Sequence, residues 1–481
     1  MDNLENKTKN AFKWSTITEI VARVLQPITN MILARILVPD AFGALATILM
    51  VIAFAEVFVE SGFQKFLIQY EFKDEAEEKN YISVAFWSNL IFSILIWAVI
   101  IVFRFQLAEF VGNRNLGTGL AVTSVVIPLY GIIGIQNSRL RKNLNFKKLF
   151  WVRIVAAFVP VFVTIPCALM GLGYWALIIG NIAGAIVRSV MLYRADRFIP
   201  ELFFSKRILT HMLRYGIWTL LDGLAVWMTQ WIDTLIISQN LSDYYLGLYK
   251  NSITTITEFV AIVTSAVTPV LFASLSRVQN EDVKFKKTFL DVQHILSLFL
   301  IPMGVGLYFY RDLATTILFG NQWSEAADIV GIMSLTLVVR TILVSFYSDA
   351  YRAKGKFQVP LYLQIVDIAI LVPACVWAVN RDFWTLVYVR AFARLDLIIP
   401  EIFIAYLVCK ISPKETFKAI SHPIIATVAM SVVVVFLQMI GNSIVWQFVS
   451  IGIAIIVYFC VLFLYREERN ILNNFIGRKT L

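Results

Sequence analysis

Charge is scarce in this chain. Asp, Glu, Lys and Arg make up 15% of the 481 residues, against about 25% in an ordinary soluble domain. No polar block of about 100 residues, the size of a common domain, interrupts the apolar sequence. Cysteine is scarce as well. Cys167, Cys375, Cys409 and Cys460 are scattered through or beside apolar segments, and no pair has metal or redox spacing. That excludes a disulfide scaffold and a thiolate metal site, and leaves all four as packing residues. The three histidines, His211, His294 and His422, fall near the ends of apolar segments with no two at ligand spacing. No metal and no cofactor is therefore expected. No G-x-x-x-x-G-K-[ST] loop is present, so nucleotide hydrolysis is not the direct driver of whatever work the protein does. No catalytic residue is assigned. A cleavable signal peptide is missing too: Met1–Lys13 is mixed in charge and lacks the short apolar core followed by small residues. The first apolar segment is expected to act as its own uncleaved insertion signal.

What fills the chain instead is apolar sequence, 59% by composition with a mean hydropathy of +0.74. Runs of about 20 residues, long enough to cross a bilayer, recur from end to end. They predict an all-α polytopic membrane protein with fourteen spans, at about 14–36, 42–63, 81–103, 117–137, 150–170, 173–193, 213–237, 247–274, 288–309, 326–349, 358–379, 384–407, 421–440 and 445–465. Charge placement orients them. Thirty of the 42 Lys and Arg fall in the tails and loops of one side, five in the loops of the other, and seven within the spans. This is a strong positive-inside asymmetry, which puts both termini in the cytoplasm. It also accounts for the net charge of +10 without a nucleic-acid partner. Loops on the outer side are short, and the PheLysAspGluAlaGluGluLys stretch at Phe72–Lys79 is expected to be a solvated loop.

The sequence repeats itself weakly. Ile32, Leu37 and Gly43 match Ile236, Leu241 and Gly247 at an offset of 204. Arg141 and Phe146 match Arg352 and Phe357 at an offset of 211, and Trp175 and Leu177 match Trp384 and Leu386 at 209. Three ordered anchors at nearly constant offset predict two six-span lobes, 1–198 and 199–410, followed by two extra spans and a cytoplasmic tail in 411–481. Each lobe starts inside, so the two share one orientation and are related by an axis along the membrane normal. In such transporters the substrate site lies near the midplane at the repeat interface.

Polar residues line particular faces of these spans. Glu19, Arg23, Gln26 and Asn30 fall within about a 60° arc of the first. Glu56 and Glu60 lie one turn apart in the second. Asn181 aligns with Tyr174 and Arg188 in the sixth, and Asp222, Thr229 and Asp233 share an arc in the seventh. Lys250, Thr254, Thr257, Thr264 and Thr268 form a stripe in the eighth, and Arg390, Arg394 and Glu401 align in the twelfth. A charge at the bilayer centre costs about 2.5–3.5 kcal/mol on translocon scales, so these groups must face protein or a watery cavity. The pattern is that of a transporter with a polar interior. Setting aside Arg214 and Lys250, which are counted with the loops they adjoin, all seven basic residues within the spans are arginine: Arg23, Arg35, Arg153, Arg188, Arg340, Arg390 and Arg394. Arginine grips phosphate and carboxylate with two teeth and stays ionised when partly dry. Arg23, Arg340, Arg390 and Arg394 are the candidate substrate-binding cations, although Glu19 lies one turn from Arg23 and pairing within the bundle is open for all four. Arg153 and Arg188 sit where they can snorkel to headgroups, and Arg35 is placed as an interface anchor. Glu19, Gln26, Asn30, Glu56, Glu60, Asn181, Asp222, Thr229 and Thr257 are candidate cavity or ion-coupling residues. Asp233 lies close to the outer end of its span, where solvation is one account of it. Trp218, Trp227 and Trp231 can stack on sugar or pack against lipid or in the bundle.

Several turns carry a resemblance. Leu37–Ala46, LeuValProAspAlaPheGlyAlaLeuAla, resembles the L-x-P-x-x-F-G-x-x-A signature that follows the first helix of polysaccharide and oligosaccharide flippases. Glu60–Gln69, Asn143–Lys148 and Gly171–Leu177 resemble the same family at its second-helix exit and later turns. This is the polysaccharide-transport branch of the multidrug/oligosaccharidyl-lipid/polysaccharide exporter superfamily. The resemblance implies a two-lobed helical bundle with alternating access. It also implies a cargo of polyprenyl-pyrophosphate-linked oligosaccharide, moved from the cytoplasmic to the external leaflet of a bacterial cytoplasmic (inner) membrane for surface polysaccharide biosynthesis. Membrane lipids, a coupling ion (H+ or Na+) and a glycan polymerase are the implied partners, and no enzymatic activity is expected. A lipid II flippase and a multidrug-type cation antiporter are alternatives within the superfamily. A membrane glycan polymerase is a more distant one, disfavoured by the short outer loops.

Overall fold

Helix starts in this chain are set by short polar caps ahead of long apolar runs. Asp74 accepts a hydrogen bond from the Glu77 backbone N–H at 2.7 Å, and Glu77 reaches back to the Lys73 N–H at 2.7 Å. The helix Glu75–Val102 therefore begins inside the stretch expected to be a solvated loop. The acidic residues there fit the positive end of the helix dipole. Asp74→Ala is expected to cost about 1 kcal/mol, read as faster amide exchange confined to the first turn. Ser412 and Glu415 form the same reciprocal box ahead of Pro413–Ile440.

The computed structural model describes residues 25–466 apart from 61 and 357, together with 14, 21, 468 and 469. Among the described residues the fold is all helical, and eleven helices are long and apolar enough to span a membrane. Two further expected spans are present in other forms. Asp243–Arg277 is one helix of 35 residues. The expected span 384–407 is broken into Phe383–Ala393 and Ile398–Cys409, each too short to cross alone. Of the first expected span, residues 25–36 are helical.

The chain divides into two compact units. One holds the described residues up to Asn251 together with Cys375–Phe383, the other Ser252–Ala374 and the residues from Trp384 onward. In the first unit Glu75–Val102 packs on Val126–Lys142, Phe146–Val159 on Tyr174–Ala195, and Pro39–Glu60 on Lys206–Asn240. Its core joins Ile48, Ile52 and Val59 to Leu120, Ile127 and Ile178. In the second unit Asp282–Phe309 packs against both Ala326–Arg340 and Pro413–Ile440, and Pro413–Ile440 against Ile444–Leu464. Phe285, Phe289, Leu296, Tyr347 and Tyr351 form the centre of its core.

Helices turn polar faces inward and apolar faces outward. In Glu75–Val102, Asn89 and Ser93 are buried while Ile91, Leu95, Val99 and Val102 are exposed. Asn89 donates to the Gly131 carbonyl of the neighbouring helix at 3.0 Å. That polarity suits hydrocarbon surroundings, where helices associate through close packing and interhelical hydrogen bonds rather than hydrophobic burial.

The repeated turns meet each other. A Cβ built on Gly43 would lie 1.9 Å from the Asp243 carbonyl oxygen, and one on Gly247 would lie 1.9 Å from the Pro39 carbonyl oxygen. Gly43 and Gly247 are 204 positions apart, and so are Pro39 and Asp243. Each glycine thus presses on the backbone at the equivalent of its partner's helix start, in a contact that is its own mirror under the repeat. Asn113 adds a hydrogen bond to Asp243 at 2.7 Å.

Candidate functional site

The densest buried charge lies in the second unit, where two spans lose regular helical geometry. The helix Ala326–Arg340 gives way at Thr341–Ser345 to a π-helical turn, a feature common at functional sites. The expected twelfth span breaks over residues 394–397. A break in mid-span frees backbone groups that hydrocarbon cannot satisfy, so protein must do so.

Arg340 does it. Its Nη1 donates to the Arg394 carbonyl at 2.9 Å. Its Nη2 donates to Asp367 Oδ2 at 2.8 Å, and Nη1 reaches Asp367 Oδ1 at 3.5 Å, so the carboxylate is held by both teeth of the fork. A second carboxylate, Asp396 Oδ1, stands 3.7 Å from Nη1 and caps the Leu397 N–H at 2.7 Å. Asp396 Oδ2 is buried and has no hydrogen-bond partner among the described residues. One turn into the next helix, Glu401 is 2% exposed and accepts from the Tyr351 hydroxyl at 2.7 Å. Arg390 and Arg394, 5% and 9% exposed, occupy the last turn of Phe383–Ala393 and the residue after it. Cations thus sit at the negative end of one half-helix and acids at the positive start of the next, the favourable order for both dipoles.

Of the predicted substrate cations, Arg340, Arg390 and Arg394 all lie on this stretch of the second unit, and Arg340 and Arg394 are in direct contact. Arg23 and Glu19 lie outside the described residues, as does the side chain of Glu60. In the first unit Asn30 donates to Asn251 Oδ1 at 2.8 Å. Asn181 is half-buried, its side-chain oxygen without a hydrogen-bond partner among the described residues. Glu56 is half-buried, whereas Gln26 and Asp222 are exposed; Thr257, which belongs to the second unit, is exposed as well. Asp222 faces Lys65 at 4.0 Å, and Thr229 bonds back to the Ala225 carbonyl at 3.0 Å. Asp233 is not solvated: it is 4% exposed and accepts from the Tyr249 hydroxyl at 2.7 Å and the Thr234 N–H at 2.7 Å. Trp227 packs on Phe54 and donates to the Met50 carbonyl at 3.2 Å. Trp231 carries Lys250 Nζ over its ring at 3.8 Å.

Asp367 and Asp396 were missed as site residues. Asp367 is the single acid in Gln358–Val379, and matching buried arginines against buried acids would have singled it out. Arg340, Arg390 and Arg394 are balanced in number by Asp367, Asp396 and Glu401.

The model of a family described as polysaccharide biosynthesis protein matches residues 32–328. The chain is 27% identical to the succinoglycan biosynthesis transport protein ExoT of Rhizobium meliloti (strain 1021), over 72% of this chain and 69% of that protein. It is 22% identical to the lipopolysaccharide biosynthesis protein WzxC of Escherichia coli (strain K12), over 78% of this chain and 75% of that one. Among solved structures, the lipid II flippase MurJ in an inward closed conformation shares the fold, with a TM-score of 0.77 at 16% identity. The match covers 95% of this chain and 99% of that one.

Proposed function

The chain belongs to the polysaccharide biosynthesis protein family, and on that premise we propose that it is a flippase for polyprenyl-pyrophosphate-linked oligosaccharide. It moves this cargo by alternating access from the cytoplasmic to the external leaflet of a bacterial cytoplasmic membrane, with both termini inside. The moving parts are the like-oriented lobes 1–198 and 199–410, with 411–481 attached to the second. A sugar chain and a pyrophosphate cannot cross hydrocarbon, whereas a polyprenyl tail can stay in it. The protein has to shelter only the head group, and no bond of the cargo needs to break. The relatives carry names of transport and of polysaccharide biosynthesis, which supports the cargo class.

What supports the proposal is the burial of Arg390 and Arg394 at a broken span whose Arg394 carbonyl is held by Arg340. Fixed, desolvated guanidiniums suit a pyrophosphate, and their carboxylate partners make the grip reversible. Asp396, held at 3.7 Å with one oxygen lacking a hydrogen bond, is the carboxylate that yields to the incoming anion. Glu19, Glu56, Glu60 and Asp222 remain the candidates for coupling to H+ or Na+, Gln26, Asn30, Asn181, Thr229 and Thr257 for contacts to sugar, and a glycan polymerase for the partner that consumes the flipped product. Arg390→Ala and Arg394→Ala are each expected to cut glycan export at least tenfold with membrane levels unchanged. Cell-surface polysaccharide and accumulated lipid-linked precursor report this, and normal export by both variants defeats the proposal.

The fold shared with the lipid II flippase favours a second cargo, lipid II, with the same head-group chemistry. Expression in cells depleted of their own lipid II flippase separates the two: rescue of growth selects lipid II, and failure with restored surface polysaccharide selects the oligosaccharide.

A further inference from the structure

The second unit holds another buried ionic group that the transport proposal does not use. His294 lies on Asp282–Phe309, His422 on Pro413–Ile440, and Glu468 beyond the last apolar helix, Ile444–Leu464. Glu468 is 1% exposed. Its Oε2 is 2.9 Å from His294 Nε2 and its Oε1 is 2.8 Å from His422 Nδ1. The His422 ring also stacks on Tyr465, with centroids 4.0 Å apart and planes 20° from parallel. Two histidines from separate helices therefore grip the segment that leaves the last helix.

The hydrogen count of this trio is fixed by its geometry. His294 Nδ1 faces the Ala419 carbonyl oxygen, which only accepts. That nitrogen must carry a hydrogen. Nε2 faces Glu468, and an ionised carboxylate also only accepts. Both ring nitrogens then carry hydrogens and His294 is an imidazolium. The alternative is a proton on Glu468 itself. Either way the trio holds one proton more than a neutral imidazole beside a carboxylate. Burial acts to raise the Glu468 pKa, but hydrogen bonds from His294 and His422 outweigh it and hold the carboxyl below its ordinary value. The proton therefore belongs on the imidazole. The other charged or titratable groups acting here are Asp291 on the His294 helix and Tyr458 on the last helix. Tyr458 is tied up as a donor to the Leu298 carbonyl at 2.7 Å. Lys286 and Glu415, further along the same two helices, satisfy each other at 2.7 Å.

We propose that His294, Glu468 and His422 form a proton-binding site that clamps Tyr465 and Glu468 onto the helices Asp282–Phe309 and Pro413–Ile440, closed while the proton is bound and released when it leaves. Loss of the proton puts the Nε2 lone pair against a carboxylate oxygen, and the contact opens. The sign follows: the clamp holds below the midpoint of the site and weakens as pH rises through it. With one proton linked, opening increases by up to about tenfold per pH unit above the midpoint.

The test is backbone hydrogen exchange of residues 462–469 in the full-length protein in nanodiscs, from about pH 5.5 to 9 around the histidine range, corrected for intrinsic exchange. The unaltered chain should lose protection by up to about tenfold per pH unit above the midpoint. In Glu468→Gln the amide can donate to a neutral His294 Nε2 and accept from His422, so protection should persist with a flat pH profile. His294→Phe should exchange rapidly at every pH. If that variant fails to fold, the nearly isosteric Glu468→Gln still carries the test. Nitrogen-15 imidazole spectra, assignable with three histidines in the chain, should show both His294 nitrogens protonated at neutral pH. A flat profile in the unaltered chain overturns the proposal, as does a single neutral His294 tautomer beside an ionised Glu468.

Discussion

Arg340→Ala is expected to destabilise the protein by about 3–5 kcal/mol, because it leaves the Asp367 carboxylate buried and without its bidentate partner. Asp367, 2% exposed, has no route to water without opening its helix contacts. Asp367→Ala should cost a similar amount by stranding the guanidinium. The pair Arg340→Leu with Asp367→Leu should recover most of the loss, since replacing a buried ion pair with apolar groups is often neutral. The Arg394 carbonyl stays without its donor in that pair, so recovery stops short by about 1–3 kcal/mol. Thermal unfolding followed with a thiol-reactive dye gives the measurement, because Cys375 and Cys409 are fully buried. Glycan export by the stable double variant then separates function from folding. Loss of export with normal membrane levels ties the cluster to the cargo. Full export makes the ion pair a structural tie only.

The second large effect is at the paired turns. Gly43→Ala and Gly247→Ala each place a methyl 1.9 Å from a backbone carbonyl oxygen, where no flexible side chain can move aside. Helix starts at Pro39 and Asp243 must separate instead. Each variant is expected to lose about 1–3 kcal/mol, the usual cost of overpacking, and the two losses should be alike. The double variant should lose clearly less than their sum, because the first methyl has already opened the gap. Strict additivity would show that the two turns do not share one contact.

The membrane class was legible in the sequence because hydrocarbon imposes length and polarity on each helix separately, and eleven of the described helices meet that requirement. The break at residues 394–397 was not, since Trp384–Leu407 reads as one predominantly apolar run and hydropathy does not register a change of backbone direction. Its trace is the close set Arg390, Arg394 and Asp396, three charges within one apolar run. Arg340, Arg390 and Arg394 were found as costly cations, while Asp367 went unmarked because a lone acid forms no stripe. Asp233 was misread for a related reason. Distance along a span measures depth in the membrane, and burial at its end depends on Tyr249 from the following helix. The trio of His294, His422 and Glu468 was invisible to spacing rules, since its members are brought together only by helix packing. Arg23 and Glu19 lie outside the described residues, and their place in the cavity stays part of the proposal.

The contact between Gly43 and Gly247 also bears on how such a chain can arise. In a homodimer of a single six-span half, one glycine would serve both sides of an isologous interface. Any substitution there would strike twice, once in each subunit. In a fused chain of two such halves that constraint would be released, and each position could change alone. Neither position leaves room for a Cβ against the facing carbonyl oxygen, so close packing by itself calls for glycine at both.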